Sequence, residues 1–96
     1  MIPGTTTKLS ESTMVGAATL SPKTDIAVIT GVGPVNTINP AFGGGQFSGL
    51  LIIVPTGALV LGTSGNILVG ATLVANRATI LVYVKSLAKW VIQTVV

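Results

Sequence analysis

Residues 26 to 76 of this chain contain no charged side chain. Val, Ile, Leu and Thr fill the run, and Gly, Pro or Asn interrupt it about every eight residues. Soluble proteins carry charge on about a quarter of their residues; here the share is 7%. A chain of 96 residues forms one domain. Folding alone, a chain of this size hides only about 60–65% of its unfolded surface. With 49% hydrophobic residues, a monomer would leave large apolar patches wet, and such patches mark interfaces. The composition therefore points to assembly.

The same composition excludes much chemistry. The chain has no Cys and no His. Disulfides, thiol catalysis, His-ligated zinc and His-based triads are ruled out. Glu11 and Asp25 are the only carboxylates. A glycosidase needs two held across one bond, and calcium wants six to eight oxygens. Here one carboxylate sits near the start of the chain and the other at the entrance of a strand, so no catalytic residue and no metal site is expected. Gly31-Val32-Gly33 and Gly43-Gly44-Gly45 lack the following Lys-Ser/Thr or helix of a phosphate loop. No cofactor or small-molecule substrate is expected. The net charge of +3 comes from scattered Lys8, Lys23, Arg77, Lys85 and Lys89. No basic stripe interleaves with aromatics, so nucleic-acid binding is not expected.

Gly49 to Ala75 is uncharged and long enough to span a bilayer. Yet Gly49, Pro55, Gly57, Gly62, Gly65 and Gly70 interrupt it, and Gly and Pro weaken a helix. Thr63-Ser64-Gly65-Asn66 places a polar turn at its middle. No transmembrane helix is expected, and the N-terminus lacks the basic start and apolar core of a signal peptide.

Val, Ile and Thr make up 35 of the 96 residues. Such side chains are stiff at χ1 and favour strands. Strands are expected near Ile26–Thr30, Val35–Ile38, Gly49–Val54, Ala58–Leu61, Asn66–Val69, Ala78–Val84 and Lys89–Thr94. Short strands at this spacing predict an all-β domain over residues 25–96, a small antiparallel β-sandwich, barrel or β-prism. Residues 1–24 are more polar and read as an extended N-terminal arm, with a short strand possible near Met14–Leu20. In that arm Lys8, Leu9, Met14, Val15 and Leu20 are the candidate partner contacts. Deleting residues 2–21 is then expected to leave the fold and abolish attachment. Leu50–Val54 is apolar on both faces, and such a strand must be covered twice. The second cover is most simply another copy of the chain. Leu51, Ile53, Leu81, Tyr83 and Trp90 are the candidates for core or oligomer interface.

The order Ile29-Thr30-Gly31, Val35-Asn36-Thr37-Ile38, Phe42 with Gly44-Gly45-Gln46-Phe47, Gly57 to Leu61, Gly65-Asn66-Ile67, Arg77 to Tyr83 and Lys89-Trp90-Val91 resembles a β-rich module of tailed-bacteriophage virion proteins. That module recurs in tail fibres and spikes, and similar small proteins are encoded beside capsid genes. The resemblance covers Asp25 to Val91. It departs at Ala75-Asn76-Arg77, where related modules often carry Gly-Asp. It implies trimeric β structure on a virion, with the major capsid protein as partner. The expected function is a head decoration (cement) protein on the phage head surface, since a chain this short leaves no room for a receptor-binding tip. A tail fibre or spike component for host attachment is the alternative.

Overall fold

The computed structural model describes residues 9–40 and 48–92. Among them are nine strands and no helix: β1 (Glu11–Val15), β2 (Thr19–Leu20), β3 (Ile26–Thr30), β4 (Thr37–Ile38), β5 (Gly49–Pro55), β6 (Val60–Leu61), β7 (Ala71–Thr72), β8 (Thr79–Val84) and β9 (Lys89–Ile92). The all-β class is therefore shown. With no helix, no described segment is a helix long and apolar enough to cross a membrane.

The antiparallel arrangement expected from sequence is corrected. The main sheet has the order β1-β3-β5-β8-β9. Its first three strands are parallel: Glu11 pairs with Ile26, and Ile26 with Ile52. Only β8 and β9 run antiparallel to their neighbours. The reason lies in the connections. Parallel strands need a crossover rather than a tight hairpin. Here each crossover is a strand of a second layer, β2 parallel to β4. A parallel bridge from Val35 to Leu61 adds β6 to that layer. The chain thus winds as coils, β1-β2, β3-β4 and β5-β6, each contacting its neighbour, as in a solenoid. After β6 it reverses. Antiparallel β7 closes the second layer, and the β8–β9 hairpin closes the first.

Glycine sets the corners of the coils. The pairings Val15 to Thr30 and Ile29 to Pro55 place Gly16, Gly31 and Gly57 at equivalent positions. Gly16 N donates to Thr30 O at 2.7 Å, and Thr56 N to Ile29 O at 3.0 Å. Gly31 has φ 85°, a conformation that a side chain would strain. These glycines turn the chain into the second layer; the sequence reading treated Gly31 and Gly57 as simple breaks between strands and placed Gly16 inside a short strand near Met14–Leu20.

Of the segment expected as an arm, residues 9–24 are described, and they contribute β1 to the first layer and β2 to the second. Asp25 fastens the first coil to the next. Its Oδ2 accepts from Ser10 N and Ser10 Oγ, both at 3.1 Å.

The core lies between the layers. Ala27, Ile29, Leu51, Ile53, Leu81, Tyr83 and Trp90 from the main sheet meet Leu20, Val35, Ile38, Leu59, Leu61, Ile67 and Leu73. No polar or charged residue among those described is fully buried. Asn66 joins the layers at one end. Its Oδ1 accepts from Ile38 N at 2.8 Å and its Nδ2 donates to Ile38 O at 2.7 Å. The side-chain amide thereby takes the place of a neighbouring strand. Gly65 beside it has no room for a Cβ, which would collide with Asn36 O and Thr37 Oγ1.

The β8–β9 turn carries a strained residue. Ala88 has φ 53°, a region that costs a non-glycine residue about 1–2 kcal/mol. Glycine gives back part of that gain through the unfolded chain. Ala88→Gly is expected to stabilise the protein by about 0.5–1 kcal/mol, read as a rise in the urea midpoint. A lowered midpoint would refute the strain argument.

Candidate interaction surface

The parallel half of the main sheet explains why its strands are apolar on both faces. Parallel strands normally lie between two covering layers and read as continuous hydrophobic runs. In this chain the second layer covers one face. The pairing registers place Val15, Ile26, Val28, Leu50, Ile52, Val54, Ile80, Val82, Val84 and Val91 together on the other, with Thr13 and Thr30 beside them. None of the ten aliphatic residues is fully buried; Val15 is 71% exposed, Leu50 62% and Val82 36%. Ile26, Ile52 and Ile80 lie in one row across the sheet, and Leu50, Val82 and Val91 in another. The face holds no aromatic ring. Its charges stand at the two margins, Glu11 on β1 and Lys89 on β9. Lys89 Nζ also donates to Gly65 O at 3.0 Å.

A second apolar feature is a cleft of about 670 Å³ at the far end of β8 and β9. Val69, Leu73, Val74 and Val91 line it, with Arg77 at its side.

The residues singled out from sequence are dispersed. Leu51, Ile53, Leu81, Tyr83 and Trp90 are all buried within the chain's own core. Leu20 joins them at 4% exposure, and Met14 packs against the same cluster. Leu9 is exposed, and Val15 is exposed on the outer face of the main sheet. Lys8 lies outside the described residues, as do Phe42, Gly43 to Gly45 and Phe47. Tyr83 and Trp90 meet edge to face, with ring centroids 5.2 Å apart. Trp90 Nε1 donates to Ile38 O at 2.8 Å, so the one polar atom of the buried ring is satisfied within the core.

Glu11 is exposed on the edge strand, and Asp25 is engaged by Ser10. Among the described residues, no group of three or more Asp, Glu, His or Cys could hold a metal ion.

Sequence reasoning singled out Val15 but missed the ten-residue face as a unit. Its signal was present in the two-sided apolarity of Leu50–Val54 and Ala78–Val84. On such strands alternation marks two faces without saying which is inward. Comparison with known proteins adds no relative: no family model, no curated protein and no solved structure matches this chain.

Proposed function

We propose that the chain is a structural protein of a bacteriophage particle, a decoration protein that binds the assembled head as a homotrimer. The observation that carries this reading is the uncovered aliphatic face on a chain with 7% charge. Such a surface serves assembly; its centre is aliphatic, with Glu11 and Lys89 only at its margins and the Thr13 and Thr30 hydroxyls toward β1. The resemblance of Asp25–Val91 to virion modules supplies the particle and the trimer.

The mechanism is added interface. A protein that binds only the assembled shell stabilises it by mass action, by about 2.7 kcal/mol per site at a hundredfold excess over Kd. No bond is made or broken. Exposed apolar residues outside the sheet face, among them Leu9, Val69 and Val74, are available for the shell.

The test uses the purified chain and heads that lack a decoration protein. Analytical ultracentrifugation is expected to give a trimer at micromolar concentration. Co-sedimentation is expected to show saturable binding to intact heads and none to unassembled capsid subunits. Absence of head binding would refute the decoration reading, and binding to tails instead would favour the fibre alternative.

A further inference from the structure

The proposed function says that copies assemble; the structure points to the surface through which they do. We infer that the outer face of the five-stranded sheet is the self-association surface, packed against the same face of other copies, with the β1 margin of one copy beside the β9 margin of the next. This rests on the reading of the chain as a self-assembling protein and does not depend on the virion.

Three observations select another copy as the occupant. The first is the parallel half-sheet itself. Ile26, Val28, Ile52 and Val54 lie on parallel strands, and parallel sheets occur almost only with both faces covered. The cover must therefore be apolar and flat, and a second such face meets that need.

The second observation is the chemistry of the face. Ten aliphatic side chains present no aromatic platform for a sugar and no cation at their centre for a phosphate. A membrane-seated surface would carry basic residues and interfacial aromatics around its rim. This rim has an acid, Glu11, on one side, Lys89 on the other and Lys85 in the β8–β9 turn, with no aromatic ring on the face.

The third observation is charge complementarity. Glu11 stands at one edge of the sheet and Lys89 at the other, where Lys89 Nζ donates to Gly65 O and the segment Asn66 to Leu68 runs beside Trp90. A rotation axis running along the strands brings β1 of one copy to β9 of another, so the acidic margin meets the basic one. Like margins would repel under any arrangement that placed β1 on β1. The dimensions also suit copies arranged around an axis. Five strands spaced about 4.8 Å make a face roughly 20–24 Å wide. Three such faces would enclose a prism of inscribed radius about 6–7 Å, close to the roughly 5 Å that each side-chain layer fills when sheets stack about 10 Å apart.

The experiment compares four full-length variants with the wild type by sedimentation. Circular dichroism and the fluorescence of buried Trp90 check that each is folded. Ile52→Glu places a charge at the centre of the face and is expected to weaken association at least about a hundredfold. Glu11→Lys and Lys89→Glu each create like-charged margins and are expected to weaken it about tenfold. The double reversal Glu11→Lys with Lys89→Glu is expected to recover most of that loss, an outcome that simple damage to either residue cannot produce. The inference is overturned if folded Ile52→Glu assembles like the wild type. Should Ile52→Glu not fold, the reversal series decides, and failure of the double variant to recover overturns the inference. The two readings fail separately. A wild-type dimer dispersed by Ile52→Glu would support this face and refute the trimer, whereas a trimer indifferent to all four variants would leave the trimer and refute the face.

Discussion

Replacing Trp90 by alanine is expected to cost about 3–5 kcal/mol, the range for truncating a buried aromatic residue. A domain of this size has a total stability of only about 5–15 kcal/mol, so the variant should be marginal at 25 °C. Trp90 is 1% exposed and sits where three parts of the chain converge. Its ring meets Tyr83 edge to face. Its backbone binds the segment after Gly65, through Trp90 N to Asn66 O at 2.7 Å and Leu68 N to Trp90 O at 3.0 Å. Its indole N–H reaches Ile38 O across the core. Trp90→Phe separates volume from the hydrogen bond. Ile38 O retains the Asn66 Nδ2 donor, so that carbonyl is not left unsatisfied. Phenylalanine is therefore expected to cost less than alanine, about 1–2 kcal/mol. Urea unfolding followed by circular dichroism measures both. An alanine variant within about 1 kcal/mol of the wild type would show that the residue is not a core anchor.

The β class was legible because β-branched residues dominate and few polar helix formers are present. Ile26–Thr30, Gly49–Val54 and Ala78–Val84 stand close to β3, β5 and β8 for this reason. Strand direction was not legible. Gly31 and Gly57 read equally well as hairpin turns or as coil corners, and only their stacking in register with Gly16 separates the two. The repeated pattern was nonetheless in the chain. Met14-Val15-Gly16, Ile29-Thr30-Gly31 and Pro55-Thr56-Gly57 align when the coils are superposed. The inner and outer faces were also undecided. Leu51 and Ile53 alternate with Leu50, Ile52 and Val54, all aliphatic, so nothing local says which set meets the second layer. Leu20, Val35, Ile38 and Leu61 settle that choice, and they lie far away in sequence. Asn66 shows the same limit. It reads as a turn residue, yet its side chain works as a strand partner because Ile38 N and O are brought to it by the fold.

Removing residues 2–21 is expected to unfold the chain, the reverse of what an attachment arm implies. Those residues include all of β1 and β2. β1 pairs with β3 over five residues, from Glu11 with Ile26 to Val15 with Thr30. β2 pairs with β4, and Ala18 O accepts from Asn36 N and Thr37 N. Without the first coil, β3 and β4 become open edges, and exposed edges template aggregation. The core loses Leu20, 4% exposed, and the half-buried Met14 packed beside it. Ile29 and Ile38, now wholly buried, lose neighbours on that side. Asp25 loses Ser10, its partner at the entrance to β3. Leu20→Ala alone should cost about 2–5 kcal/mol. The deletion adds the loss of the strand pairings and is expected to exceed the domain's whole stability, about 5–15 kcal/mol. The truncated chain should show no cooperative thermal transition by circular dichroism, while Leu20→Ala should unfold cooperatively at a lower temperature than the wild type. A truncated protein that keeps the wild-type β spectrum and melts cooperatively would mean that the second and third coils fold without the first. Loss of head binding could then be assigned to the arm itself, rather than to collapse of the sheet that presents the rest of the surface.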